Sequence, residues 1–266
     1  MDELGVGAVV PIYVLIFLLG LAIGSFLNVV IHRVPAGESV VSPASRCPNC
    51  GNPIRARHNI PVVGWLVLKG RCADCHTPIS PRYPLVELGT GVIFVAIAIK
   101  LDPIRWPAYL CFAAIGVALA AIDLDTRRLP SKIILPFYPI IAGLLTIASA
   151  VQGDWWALAR AGIGGAALFA FYFLLVLLYP AGMGFGDVRL SGILGGILAY
   201  LSWPALIVGA FGGFLLGAVA GVAVVIGKQG GRKTALPFGP FMILGALLAV
   251  FVADPVADWY LGLINA

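Results

Sequence analysis

The chain has 266 residues, 61% of them hydrophobic and only 11% charged, with a mean hydropathy of +1.01. That is too little polar surface to enclose the chain in water, which excludes a soluble globule and makes the bilayer its solvent. The net charge of +5 alone would admit a nucleic-acid partner, but no basic stripe is interleaved with exposed aromatics, so nucleic acid is not expected.

A spanning helix needs roughly 20 mostly apolar residues. Such segments occur at 9–31, 84–100, 104–122, 133–151, 159–179, 188–202, 204–227 and 239–261, predicting an all-α polytopic membrane protein with about eight transmembrane helices. The first is read as a retained helix rather than a secretory signal: its flank Met1–Asp2–Glu3 is acidic, and Gly24–Ser25–Phe26–Leu27–Asn28 runs into Val29–Val30–Ile31 without a cleavage site. Basic residues concentrate on alternate connections: Arg33, Arg46, Arg55, Arg57, Lys69, Arg71 and Arg82, then Arg127, Arg128 and Lys132, then Arg189, then Lys228, Arg232 and Lys233. Only Lys100, Arg105 and Arg160 of the 17 Lys and Arg fall elsewhere, so the positive-inside tendency makes those connections cytoplasmic and turns both termini outward. Anionic lipid is the natural partner of these basic loops.

Three domains are expected: a first transmembrane helix over 1–31, an inserted cytoplasmic domain over 32–83, and a transmembrane domain over 84–266. The insert is rich in Pro, Gly and Arg, and at about fifty residues it lies near the size where a domain needs a staple. Its staple is written as Cys47–Pro48–Asn49–Cys50 and Cys72–Ala73–Asp74–Cys75. Two CxxC turns can aim four thiolates at one ion, the tetrahedral set of structural zinc. Disulfides conflict with a reducing cytoplasm, and redox chemistry does not explain two pairs in one small domain. A closed four-thiolate site leaves no position for water, so zinc is assigned a structural role. Cys111, inside an apolar span, reads as a small buried hydrophobe. The glycine clusters at 162–165, 192–196 and 209–213 read as close helix packing, with no repeat at a fixed period.

An acid within a span costs about 2.5–3.5 kcal/mol on insertion scales and therefore asks for an explanation. Asp123 ends one apolar run, Asp125 follows, and Asp187 closes Gly182–Met183–Gly184–Phe185–Gly186–Asp187 ahead of another. Helix positions two apart diverge by about 200°, so only one of Asp123 and Asp125 can face a given partner. Gly184 and Gly186 leave bare backbone where a substrate strand could approach Asp187. By topology Asp123 and Asp187 share the cytoplasmic side, and two carboxylates a few ångströms apart would share one proton, as in aspartic peptidases. Spacing equally permits helix caps or pairs with Arg127, Arg128 or Arg189.

Gly24–Ser25–Phe26–Leu27–Asn28 through Pro35, the two CxxC pairs, Arg82–Tyr83–Pro84–Leu85–Val86–Glu87, Ile122–Asp123–Leu124–Asp125 through Leu129–Pro130, Gly184–Phe185–Gly186–Asp187 and Leu236–Pro237–Phe238–Gly239–Pro240 resemble, in order, the bacterial type IV prepilin peptidases. The resemblance covers nearly the whole chain. It implies a bifunctional inner-membrane enzyme of the GxGD aspartic class that removes the basic leader of prepilins or type II secretion pseudopilins, typically after a glycine. Such enzymes then N-methylate the new terminus from S-adenosylmethionine. It places the catalytic pair on Asp123, seven residues before Pro130, and on Asp187, leaving Asp125 aside. Two positions depart from the family pattern: Arg189 where Lys is frequent, and Ser131 where an acid or Asn is frequent. Glu38 and Glu87 are candidates to meet the basic leader, Glu87 being equally able to pair with Arg82 or a backbone group. The competing reading is a proton-coupled carrier relaying ions through intramembrane Asp residues, which predicts carboxylates near the bilayer midplane and an internal repeat.

Overall fold

The computed structural model describes residues 6–180, 183–227 and 236–264. The acidic flank Asp2–Glu3, Gly182 and the basic residues Lys228, Arg232 and Lys233 lie outside the described residues. The chain divides between Trp106 and Pro107 into two compact units.

In the first unit α1 (Val6–Ala36) packs against α3 (Arg82–Lys100). The pairing is close because small residues meet: a Cβ on Gly20 would lie 2.6 Å from the Cα of Gly91, and one on Gly24 2.7 Å from the Cα of Glu87. Asn28 adds a hydrogen bond from Nδ2 to the carbonyl of Tyr83 at 3.1 Å. α1 continues five residues past the expected end at Ile31. It stops where Gly37 takes a left-handed φ of 74°, letting its N–H reach the Val34 carbonyl and the Glu38 N–H reach that of Arg33. This is a Schellman stop, and Pro35 is tolerated in the last turn ahead of it. Between α1 and α3 lie a short helix α2 (Val63–Val67) and two knuckle turns, with hardly any buried side chain.

The second unit holds α4 (Trp106–Thr126), α5 (Ser131–Gln152), α6 (Trp155–Leu178), α7 (Phe185–Leu201), α8 (Trp203–Ile226) and α9 (Gly239–Ile264). Among the described residues seven helices are long and apolar enough to cross a membrane, and the chain is a multi-pass membrane protein. The segment expected to span at 188–202 is α7. At 17 residues it is shorter than the other seven and differs from them in burial. Twelve of its residues are buried against α5, α6, α8 and α9, whereas α8 buries only Ala205, Gly209 and Gly213. α8 instead exposes Ile207, Phe211, Leu215, Val219, Val222 and Ile226 at helical spacing, a stripe that suits lipid and would not survive in water. Glycines again permit the contacts. Gly164 and Gly195 bring α6 and α7 together so closely that neither admits a side chain; Gly245 does the same where α9 meets α8, and Gly213 is in tight contact opposite it.

The polar groups around α7 are satisfied from its neighbours. Tyr109 of α4 donates to the Ile197 carbonyl at 2.8 Å. Arg160 of α6, one of the three basic residues off the basic alternate connections, donates from Nε to Ala199 and from one terminal nitrogen to Tyr200 at 2.7 Å and Leu201 at 3.0 Å. One guanidinium thus closes the carbonyl end of α7, where a cation also complements the helix dipole. Arg160→Met removes these charge-assisted bonds, at a cost of about 2–3 kcal/mol. The expected result is a fall of about 5–10 °C in the thermal unfolding midpoint in detergent. An unchanged midpoint would refute the capping role.

Candidate active site and metal centre

Asp123 sits in the last turn of α4 and is 4% exposed; Asp187 sits in the first turn of α7 and is 8% exposed. The two carboxylates lie within electrostatic reach of each other, and the buried phenol of Tyr172 on α6 is within reach of Asp187. Each acid is held by the backbone at the start of a helix. Asp187 Oδ2 accepts the N–H of Gly184, the N-cap residue of α7, at 3.1 Å, while the Asp187 N–H returns a bond to the Gly184 carbonyl. Asp123 Oδ2 accepts the N–H of Gly239, the first residue of α9, at 3.1 Å. Helix starts carry unsatisfied N–H groups and partial positive charge, so they suit carboxylates.

Of the alternatives left open by spacing, capping is present and ion pairing is not. Among the described residues no salt bridge to either acid is seen, whereas Arg55 and Asp74 pair at 3.2 Å. Arg127 and Arg128 are exposed, and Arg189 turns away. Its guanidinium bonds Ser131 and stacks 5.0 Å from the centroid of Phe185, and its carbonyl accepts the Tyr138 hydroxyl at 2.6 Å. The two departures from the family pattern, Arg189 and Ser131, are therefore partners. Asp125 is exposed on the far side of its turn.

α4 ends where Arg127 adopts a left-handed φ of 52°, its N–H still bonded to the Asp123 carbonyl at 2.8 Å. The chain reverses, and Pro130 starts α5 as its N-cap. Gly184 is bare toward Asp187, as a substrate approach would need. Gly186 has a partner within the protein: a Cβ there would meet the Cβ of Leu129 at 2.8 Å. Sequence reasoning gave Gly239 no role, although its N–H holds Asp123. The signal was its place in Leu236–Pro237–Phe238–Gly239–Pro240, a glycine beside prolines at the head of an apolar run.

In the first unit the sulfurs of Cys47, Cys50, Cys72 and Cys75 all lie within 4.8 Å of one another, and none is in a disulfide. The Cys47 and Cys75 sulfurs are 3.8 Å apart, the separation of two thiolates about 2.3 Å from a tetrahedral ion. The donor set therefore fits a metal. The two turns are copies of each other. The Cys47 N–H bonds the Asn52 carbonyl and Cys72 that of Thr77. Gly51 bonds back to Cys47 and His76 to Cys72, with φ of 74° and 56°. Antiparallel bridges pair Arg46 with Pro53 and Arg71 with Pro78. The repeat is legible as Arg-Cys-x-x-Cys-x-x-Pro-Ile at 46–54 and 71–79, although no repeat was expected. The hydroxyl and backbone N–H of Thr77 hold the Cys75 thiol down at about 5, and the backbone N–H groups of Cys50 and Asn49 lower that of Cys47. These two shifts favour the thiolate that a metal needs. Cys50 goes the other way: the backbone N–H of Asn52 lowers its thiol, but desolvation and the neighbouring thiols outweigh that and push it up to about 12. Nearby, Glu87 is 8% exposed and Oε2 accepts the N–H of Val62 at 2.7 Å. Val62 has a φ of 62° in a tight γ-turn, so the backbone partner, one of the options for Glu87, is the one realised.

Residues 18–101 match the family described as the bacterial peptidase A24 N-terminal domain, and residues 110–222 match the type IV leader peptidase family. The chain is 35% identical over 280 residues to the prepilin leader peptidase/N-methyltransferase of Aeromonas hydrophila, covering 93% of each chain. It is 32% identical over 271 residues to that of Stutzerimonas stutzeri, covering 91% of each. To that of Klebsiella pneumoniae it is 43% identical over 203 residues, which cover 72% of this chain and 86% of the relative. No solved structure matches. With both halves of the chain matched, and relatives aligned along nearly its whole length, the chain belongs to the type IV leader peptidase family.

Proposed function

We propose that the chain removes the leader peptide of prepilins or pseudopilins with Asp123 and Asp187, and then methylates the new amino terminus. The observation that carries the reading is the pair itself: two buried acids in electrostatic reach, each fixed by one backbone N–H and neither neutralised by Arg or Lys among the described residues. With one proton between them, the ionised carboxylate takes a proton from water as its oxygen attacks the scissile carbonyl, and the protonated partner gives its proton to the carbonyl oxygen. The tetrahedral intermediate collapses as the C–N bond breaks: the amine leaves with the proton taken from water, and one hydroxyl of the intermediate returns its proton to the now-ionised partner, which leaves a carboxylic acid and restores one proton to the pair. S-adenosylmethionine is the co-substrate that supplies the methyl group.

The acids lie at helix ends, where a prepilin with its leader in the cytoplasm and its apolar helix in the bilayer presents the scissile bond. A midplane ion relay would place them mid-helix, so the carrier reading is not favoured. In this reading α7 also crosses the bilayer, giving eight spans; 17 residues rise about 26 Å, near the lower limit for crossing. The domains are the first helix over 1–31, a cytoplasmic zinc domain over 32–83 and the peptidase over 84–266. Zinc is held by Cys47, Cys50, Cys72 and Cys75, and its contribution is cross-linking the two knuckles. The enzyme resides in the bacterial inner membrane, with the acids and the zinc domain on the cytoplasmic side.

Purified protein in lipid vesicles, given a prepilin and methyl-labelled S-adenosylmethionine, is expected to shorten the prepilin and then label its new terminus. Proton flux in vesicles without cleavage would instead support the carrier.

A further inference from the structure

Two helix starts meet beside the carboxylates, and one side chain lies against both. Gly186 immediately precedes Asp187 in α7, and Gly239 begins α9 and donates to Asp123. A Cβ on Gly186 would lie 2.8 Å from the Cβ of Leu129; one on Gly239 would lie 3.2 and 3.3 Å from the two methyls of the same leucine and 2.8 Å from Asp123 Oδ2. Neither glycine admits even alanine without displacing Leu129 or the carboxylate. The isobutyl group is thus wedged where the two bare backbones converge, while remaining partly exposed on its outer side. Its segment is held at both ends. Arg127 occupies the left-handed region with its N–H bonded to Asp123, and Pro130 has a fixed φ and begins α5.

We propose that Leu129 sets the size limit for the substrate residue on the leader side of the scissile bond, by filling the space beside both carboxylates that a larger side chain would need. The inference rests on the reading of Asp123 and Asp187 as the hydrolytic pair. The side of the bond follows from topology. The leader lies in the cytoplasm and the mature helix stays in the bilayer, so the leader's last residue passes the 127–130 connection on its way to the acids. A glycine there slides past Leu129, whereas an alanine places a methyl against it. Leu129 is then a specificity-determining residue. It takes no part in proton transfer.

The test uses two prepilins identical except for Gly or Ala before the scissile bond, cleaved by full-length wild type, Leu129→Ala, Leu129→Val and Asp123→Asn in lipid. The reading is the ratio of kcat/KM for the Ala prepilin to that for the Gly prepilin. Both values come from one preparation, so the ratio is independent of the folded fraction. Room for one methyl changes discrimination by about 10–200-fold. Leu129→Ala is expected to raise the ratio at least about tenfold, and Leu129→Val by less. A ratio within about twofold of wild type in both variants overturns the proposal. So does loss of both cleavages in both variants, which would make Leu129 a support of the pair itself. Failure of the underlying reading shows separately, as cleavage of the Gly prepilin by Asp123→Asn at the wild-type rate.

Discussion

Asp187→Asn and Asp123→Asn are each expected to lower leader removal on the order of 10⁴-fold, comparable to losses of essential groups in other peptidases. Asparagine is the informative substitution because its side-chain oxygen can still accept the N–H of Gly184 or Gly239, so the starts of α7 and α9 remain capped. What is lost is the capacity to exchange a proton with water or with the scissile carbonyl. Asp125→Asn, at an exposed position on the opposite side of the turn, is expected to stay within about twofold of wild type. Initial rates on a purified prepilin, with thermal unfolding recorded for each variant, separate loss of chemistry from loss of fold. A folded Asp187→Asn that cuts at the normal rate would end the assignment.

Cys72→Ser is expected to abolish metal binding rather than weaken it in proportion. Between residues 41 and 80 the buried residues are Cys47, Gly64 and Gly70, so this segment has no apolar core to fall back on. The salt bridge between Arg55 and Asp74, at 3.2 Å and substantially exposed, adds little. Structural zinc contributes about 10–16 kcal/mol in small knuckle peptides, far above anything else available to this segment. Because the two knuckles share one set of four sulfurs, losing a ligand from either releases both. Elemental analysis should fall from about one zinc per chain to near zero. Limited proteolysis should open the segment between α1 and α3 in the variant, as it should in wild type after a strong chelator. Full zinc content in Cys72→Ser would refute the four-thiolate site.

The spans were legible because a bilayer demands long apolar runs, and the helices fall within a few residues of the expected ends. The exceptions have local causes. α1 runs on to Ala36 because the Pro35–Ala36–Gly37 stop lies beyond the apolar stretch that was counted. α7 reads as a span like the others although most of its residues are buried, because burial in protein and exposure to lipid select the same composition. The aspartates were visible as costly acids at helix ends, and the cysteines by their spacing. Pairwise geometry was not legible. Gly239 reaches Asp123 across 116 residues, and Leu129 meets two glycines from different helices, contacts that no local period encodes. The knuckle repeat is legible in the flanking Arg and Pro-Ile rather than in the cysteines alone.

If Asp123 and Asp187 act as one proton-sharing unit, a double-mutant cycle on leader cleavage will show it. The measurement is single-turnover cleavage by Asp123→Asn, Asp187→Asn and the double variant, each verified as folded. If the pair works as a unit, the double variant loses no more than either single one. Losses that multiply would mean two independent roles and would contradict the shared-proton mechanism.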